Sequence, residues 1–382
     1  MNVQKICIIG DGLAGISTAV TLSNQNIQID LYGSNKRSFY SNDNRTTAVS
    51  ETSFQFIKQK HNIKKKNSCL WPCKEINLFF EEKNKIISFL NFKEKNKNLM
   101  YIFQNKDLKK KLDKIILMSN KIKLIKKNIE NIDSEKGSIA FGKKKKFYDL
   151  IILSVGGRSK LYSSIEKGRS IEKNYEEVAL TGIIKHNAKI KNASQFFLKE
   201  GPLAILPYQK KIFSIVWSIS SKFFYENKKN IKNILNEKIR TLLKIKNIKK
   251  ITNLHTHPIN LNLKTKYFNK NVLILGDGLH SIHPMAGQGF NLILRDIKKL
   301  KELTSKTLKL GLLIKDSFIL KDFYNSRKPE NNLLGLGINL TNIFFKDNKY
   351  FPSLKKGILN NISKFGFIKK VSQSVSNKGI LF

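Results

Sequence analysis

The feature that most constrains this chain lies in its first 35 residues. Ile6-Cys7-Ile8-Ile9 is a short apolar run that enters Gly10-Asp11-Gly12-Leu13-Ala14-Gly15, a G-x-G-x-x-G turn. Ile16 to Leu22 continues as a helix, and Ile27-Gln28-Ile29-Asp30-Leu31-Tyr32 alternates as a second strand. Strand, glycine turn, helix and strand in this order open a parallel α/β sheet. The glycines have separate tasks. Gly10 allows the tight turn, Gly12 lets a pyrophosphate approach the backbone, and Gly15 permits close packing of helix on strand. The helix N-terminus then meets the phosphates with free N–H groups and the positive end of its dipole. One part is missing. The acidic residue expected near position 33, to hold a ribose, is replaced by Gly33. Asp30 sits inside the strand, so Ser34 or Asn35 would serve only as neutral substitutes.

Further along, residues 55 to 100 are mixed, with Ile76-Asn77-Leu78-Phe79-Phe80 reading as strand. Asn105 to Met118 is predicted helical, with Leu108, Leu112, Ile115 and Ile116 on one face. Asp149 to Ser154 is an apolar strand leading into glycines. From Val178 to Ser220, strand-like runs follow at hairpin spacing, and residues 222 to 250 read as a basic helix. Asn271 to Asp277 is a third core strand, Gly287 to Leu303 a helix, and the remainder is mostly helical. At 382 residues, two to three domains are expected. Helices and strands alternating at both ends, around a hairpin-rich middle, predict an α/β nucleotide-binding domain with a β-rich domain inserted into it.

Composition narrows the function less than it seems to. The chain carries 71 basic and 28 acidic residues, a net charge of +43. Seven of the basic residues are arginine and 64 are lysine, accompanied by abundant Asn and Ile. An AT-rich coding sequence produces that trio, so much of the charge reads as drift on a solvated surface. Nucleic-acid binders concentrate charge on one face with interleaved aromatics. Here Lys64-Lys65-Lys66, Lys109-Lys110-Lys111 and Lys143 to Lys146 are scattered, so no specific nucleic-acid partner is expected. No stretch reaches the ~18 apolar residues of a membrane span. The N-terminus lacks a signal-peptide cleavage pattern, and three cysteines fit a reducing cytosol. Cys69 and Cys73, in C-x3-C spacing with no second pair or nearby histidine, read as ordinary thiols. No metal is expected.

The second motif runs from Leu273-Ile274-Leu275-Gly276-Asp277-Gly278 through Leu279-His280-Ser281-Ile282-His283-Pro284-Met285-Ala286 to Gly287-Gln288-Gly289-Phe290-Asn291-Leu292, closing on Arg295-Asp296. A buried strand would deliver Asp277 to a loop, where its carboxylate accepts from sugar-like hydroxyls. The turn Gly287-Gln288-Gly289 then starts a helix whose amides can stabilise negative charge on an electron-rich oxygen.

Together the two glycine motifs resemble those of the FAD-dependent aromatic hydroxylases, the group A flavoprotein monooxygenases. Further stretches resemble the ubiquinone-biosynthesis branch: Asn44 to Ser50, Gln104 to Leu108, Gly201-Pro202-Leu203-Ala204-Ile205-Leu206-Pro207, Ser214 to Trp217 and Tyr324-Asn325-Ser326-Arg327. They follow the family's order from residue 5 to about 330. The resemblance implies a Rossmann-like FAD-binding domain of the glutathione-reductase/p-hydroxybenzoate-hydroxylase type, an inserted β-sheet-rich substrate domain and a helical C-terminus. The implied boundaries are 1–70, 101–174 and 263–345 for the three parts of the FAD domain. Residues 71–100 and 175–262 would form the substrate domain, and 346–382 the C-terminal helical segment.

By the same resemblance, FAD would be held by Gly10, Gly12, Leu13, Ala14, Gly15, Arg45, Asn105, Gly276, Asp277, Pro284, Gly287, Gly289, Phe290 and Asn291. Pro284, Gly287 and Gln288 would form the environment of the flavin ring, and Leu206, Pro207 and Trp217 the substrate wall. The family reaction has NADPH or NADH reduce the flavin, oxygen add at C4a, and one oxygen pass to an activated phenolic ring. The implied substrate is a polyprenylated phenol of ubiquinone biosynthesis. The implied location is cytoplasmic, with possible peripheral contact with the membrane's inner face or with other quinone-biosynthesis proteins, and an oligomer is possible. Four of the rare arginines, Arg45, Arg158, Arg295 and Arg327, fall inside family-like motifs, where a planar five-donor group suits a bidentate contact.

Three positions depart from the family pattern: Gly33, Val155 in place of an aspartate in Ser154-Val155-Gly156-Gly157-Arg158-Ser159, and Lys106 where arginine is common. They keep two alternatives open, a related hydroxylase or reductase on another apolar substrate and a catalytically degenerate lipid-binding scaffold. His280 and His283 are expected to serve flavin contact rather than proton transfer, and His255 and His257 to be strand residues near the domain junction. Leu354 to Lys370 places Ile358, Ile362, Phe365 and Ile368 at near-helical spacing, a segment that would cover its own domain or a sister subunit, or lie on an anionic membrane.

Overall fold

The structure is a computed structural model that describes residues 3–34, 43–61, 70–94, 97–157, 159–165, 170–316 and 318–346. The first part comprises β1 (Gln4–Ile9), α1 (Leu13–Leu22), β2 (Ile27–Gly33), β3 (Thr46–Ser50), α2 (Glu51–His61), β4 (Trp71–Cys73), β5 (Glu75–Glu82), β6 (Lys85–Lys93) and β7 (Met100–Gln104). There follow α3 (Asn105–Leu117), β8 (Ile122–Lys126), β9 (Asn131–Asp133), β10 (Ser138–Phe141), β11 (Lys144–Phe147) and β12 (Leu150–Leu153). The middle holds β13 (Ser170–His186), β14 (Ala193–Leu198), β15 (Gly201–Gln209), β16 (Ile212–Ser220), α4 (Ser221–Glu226), α5 (Ile231–Leu243) and β17 (Ile248–Lys264). The chain then returns through β18 (Phe268–Asn269), β19 (Val272–Ile274), β20 (His280–Ser281), α6 (Gln288–Lys309) and α7 (Ile319–Lys346).

Two sheets dominate. The first has the order β18-β19-β12-β1-β2-β8, parallel except for the β18 edge. Ile8 of β1 pairs with Ile152 on one side and Leu31 on the other. All four residues of β12 are buried, as befits a parallel sheet covered on both faces. Helix α3 turns Leu108, Leu112 and Ile116 into this core, the face its periodicity predicts.

The second sheet has the order β20-β17-β13-β16-β15-β14-β5-β6, antiparallel apart from the β14–β5 pair. Its strands are inserted into the parallel sheet's sequence, β5 and β6 between β2 and β8 and β13 to β17 between β12 and β18, with β20 following β19. On β16, Phe213, Ile215, Trp217 and Ile219 alternate onto one face, where they pack with Leu235 and Ile239 of α5. The small antiparallel sheet β3-β7-β4 meets the opposite face, with Ala48, Cys73 and Ile102 packed against Ile183 and Tyr208.

The sequence reading erred at residues 222–250. Two short helices occupy residues 221–243, and residues 248–250 begin the 17-residue strand β17. Lys244 ends α5 in the left-handed conformation, with φ 52°, which breaks the helical path before Ile248. Arg158, Cys69 and the segment Leu354 to Lys370 lie outside the described residues. Among the described residues, no helix is long and apolar enough to cross a membrane.

Candidate active site

Strand β1 delivers Gly10 to the turn with φ 119°, a conformation that side chains other than glycine rarely adopt. Packing makes the same demand. A Cβ on Gly10 would stand 2.2 Å from the Ser154 carbonyl oxygen, and one on Gly15 would stand 1.9 Å from that of Gly10. The Gly10 N–H donates to the Tyr32 carbonyl at 2.8 Å, which locks the turn onto β2. Gly12 caps α1 without any side-chain bond, and the first turn carries no acidic residue. Leu13 and Ala14 pack on the parallel-sheet core below. The helix end is thus left open to an anion.

The second motif docks on the first. A Cβ on Gly276 would meet the Ala14 Cβ at 3.0 Å, so the turn after β19 sits directly on the start of α1. Asp277 projects from that turn and is exposed to solvent, yet protein surrounds it at longer range. That surrounding mass pushes its carboxyl up, while the charges of His280 and Arg45 act to lower it. Pro284 leads a short 3-10 turn, and Gly287 caps α6 in the left-handed conformation without a side-chain bond. A Cβ on Gly289 would meet nothing within 4 Å, whereas Gln288 is buried and Phe290 packs on the core. A second uncapped helix end therefore opens beside the first.

Arg45 and Asn105, widely separated in sequence, are joined by a residue that the sequence reading passed over. Asp43 accepts from Arg45 Nε and Nη2, both at 2.8 Å, and from Asn105 Nδ2 at 3.0 Å. Burial alone would raise the Asp43 carboxyl, but Arg45 and Asn105 outweigh it and hold it below the usual range. The Arg45 side chain stays 46% exposed. Lys106 is engaged by Asn44 Oδ1 at 2.7 Å.

Asn291 is held by its neighbours within the protein. Its side chain is buried and fully engaged, donating to the Ala48 and Gly287 carbonyls at 3.1 and 3.0 Å and accepting from the Ser50 N–H at 2.9 Å. It ties β3 to the start of α6 and so fixes the loop that Gly287 caps.

Both motif histidines are held by buried carboxylates. His280 Nε2 lies 2.6 Å from Asp296 Oδ2, and Asp296 Oδ1 accepts from Arg327 Nε at 2.6 Å. Arg327 also binds Glu330 and Asn331, and Glu330 accepts from Arg295. Two of the rare arginines thus build a buried network between α6 and α7. His283 accepts the Met285 N–H at Nδ1, which leaves its proton on Nε2 to be donated to Glu177 on β13 at 3.0 Å. Unlike these two, His257 on β17 keeps an Nε2 without a hydrogen-bond partner. Burial and the neighbouring Arg45 hold its imidazole below the usual range.

Not all of the expected substrate wall assembles. Leu206 packs with the β3-β7-β4 layer, on the side of the sheet that carries Ser214, whose hydroxyl meets Thr46. Pro207 is buried opposite Phe213. Trp217 is wholly buried on the reverse face, beneath α5. The motif Ser214 to Trp217 alternates across the sheet, so Ser214 and Val216 face the cleft side and Trp217 cannot. Val155, which stands where a carboxylate was expected, packs on the parallel-sheet core.

Comparison with known proteins agrees with this architecture. The squalene epoxidase family model matches residues 207–376. Ubiquinone biosynthesis monooxygenase COQ6 (mitochondrial) of Dictyostelium discoideum is 27% identical over 266 residues, covering 56% of this chain and 53% of that protein. Ubiquinone hydroxylase UbiL of Rhodospirillum rubrum is 25% identical over 232 residues, covering 58% and 52%. The 3-demethoxyubiquinol 3-hydroxylase of Escherichia coli is 26% identical over 162 residues, covering 40% of each chain. The chain spans about half the length of the first of these relatives. Among solved structures, p-nitrophenol 4-monooxygenase PnpA of Pseudomonas putida superposes with a TM-score of 0.81 at 12% identity, covering 100% of this chain and 99% of that one. PqsL of Pseudomonas aeruginosa, described as "a probable FAD-dependent monooxygenase", superposes with a TM-score of 0.74 at 14% identity, covering 93% and 100%. At such identities the likeness is one of fold. The chain is thus similar in fold to these monooxygenases, and its curated relatives include monooxygenases and hydroxylases of ubiquinone biosynthesis.

Proposed function

We propose that this chain is an FAD-dependent monooxygenase that hydroxylates the ring of a polyprenylated phenol in ubiquinone biosynthesis, with NADPH or NADH as reductant. The observation that carries the reading is the docking of Ala14 on Gly276, which sets the turn bearing Asp277 against the start of α1, together with helix starts at α1 and α6 that no side chain caps. FAD fits these residues. The cradle at Gly10 and Gly15 leaves no room for a Cβ, and Gly289 faces open space. When bound, FAD supplies the redox chemistry, taking hydride from the nicotinamide and activating oxygen for transfer to the ring.

The chain's own residues position and shield. Amides at the start of α1 would hold the pyrophosphate, with the Arg45 charge nearby, and Asp277 would accept from hydroxyls of the linking chain. Amides at the start of α6, ahead of Phe290, would favour negative charge on the ring system, beside Pro284 and Gly287. His283, Glu177 and Asn291 keep that loop in place. The cleft side of the eight-stranded sheet, with Leu206 and Val216, supplies an apolar wall that excludes water from the reacting ring. The same apolar wall suits a prenylated substrate. The +43 charge would favour an anionic bilayer, where such a substrate partitions.

The first test is the visible spectrum of the purified protein before and after FAD is added. Flavin bands at near one-to-one occupancy are expected, and a protein that stays colourless at saturating FAD overturns the reading. Expression in a bacterial strain lacking 3-demethoxyubiquinol 3-hydroxylase tests the substrate class. Restored ubiquinone is expected, and continued accumulation of the under-hydroxylated precursor by a flavin-loaded protein refutes hydroxylation at that ring position.

A further inference from the structure

Position 33 ends β2, where a dinucleotide-binding sheet of this type places an acidic side chain for the adenosine ribose. Gly33 has no side chain there, and its backbone lies outside the left-handed region, so chain conformation does not demand glycine. A neighbour does. A Cβ on Gly33 would stand 2.8 Å from Asp11 Oδ2, 2.9 Å from its Cγ and 3.0 Å from its Cβ. The Asp11 carboxylate, reaching across from the glycine turn, occupies the space from which a side chain at 33 would start.

We propose that Asp11 is the ribose-binding carboxylate of this chain: the acid has moved from the end of β2 to the second position of the glycine turn, and Gly33 is glycine because Asp11 fills its place. The proposal rests on the FAD reading above. It accounts for the departure at position 33, because an acid at an x position of G-x-G-x-x-G takes the place of the missing one. A carboxylate there accepts two ribose hydroxyl hydrogen bonds, as one from position 33 would, because it lies at the same corner of the cradle between β1 and β2.

The adenosine ribose is present in FAD and absent from FMN, which gives a readout that a general packing defect does not mimic. Dissociation constants for FAD and FMN would be measured by flavin fluorescence on wild type, Asp11→Gly, Gly33→Glu and the double variant, with apo-protein melting temperatures as the folding control. Asp11→Gly is expected to weaken FAD by about 10- to 100-fold, the range for a lost charged hydrogen-bond pair, and to leave FMN within about 2-fold. Gly33→Glu alone meets the Asp11 carboxylate and gains nothing. With Asp11→Gly it restores the preference for FAD. Unchanged FAD affinity in Asp11→Gly, equal loss of FAD and FMN, or no recovery in the double variant overturns the proposal. A wild type that binds no FAD refutes the cofactor reading instead, so the two failures are distinguishable.

Discussion

Asp296 is the group whose removal the structure evaluates most directly. It is fully buried, takes hydrogen bonds at 2.6 Å from both His280 and Arg327, and accepts a third from Asn331 at 3.3 Å. Burial alone would raise its carboxyl, and the Arg327 and His280 charges outweigh that and hold it below the usual range. Asp296→Asn keeps the shape but leaves the Arg327 guanidinium short of one buried counter-charge. Removing one partner of a buried pair costs about 3–5 kcal/mol. Glu330 and Asn331 still engage Arg327, so about 3 kcal/mol is expected. Adding Arg327→Met removes the stranded cation and leaves Glu330 with Arg295, so the double variant should be at least ~1 kcal/mol more stable than the sum of the singles. Urea unfolding followed by tryptophan emission reads both, since Trp217 is fully buried. The pH dependence has a definite sign. A carboxyl depressed in the native state stabilises it at neutral pH, and that contribution is lost as pH falls below about 4 through the folded value. Asp296→Asn should lack this part of the acid limb. A single variant within ~1 kcal/mol of wild type, or strictly additive losses, would refute the network argument.

Other substitutions separate binding from stability. Asp277→Asn removes a carboxyl that its surroundings push up, a group whose charge weakens the apo fold above its unfolded pKa and whose strain is relieved as pH falls. Apo melting temperature should hold or rise while FAD affinity drops about 10-fold, measured by thermal shift and titration. Gly15→Ala drives a Cβ against the Gly10 carbonyl at 1.9 Å, so FAD binding should be abolished and folding impaired, as absorbance and circular dichroism would record. Trp217→Ala should cost about 3–5 kcal/mol of stability with FAD affinity unchanged; a selective loss of FAD affinity instead would place Trp217 at the cleft.

What the sequence determined by itself is what short-range periodicity and backbone chemistry control. The strand, glycine turn and helix from Ile6 to Leu22, the buried strand around Ile151, the α3 face and the two-motif resemblance are legible because neighbouring residues decide them. The tertiary structure decided where distant segments meet. Asp43 carries no signal until folding sets it between Arg45 and Asn105. Trp217 reads as pocket or core until the sheet acquires a helix on one face, because alternation assigns it to a side without saying which side is the cleft. Residues 248–250 read as helix because Ile and Lys suit either element, and pairing with β13 settled the matter. That the Asn291 side chain bonds to β3 was not legible in its motif and appears only once β3 meets the start of α6. The vacancy at Gly33 showed as a missing acid in the chain and as an occupied space in the fold, since Asp11 reaches it only once β1 and β2 lie side by side.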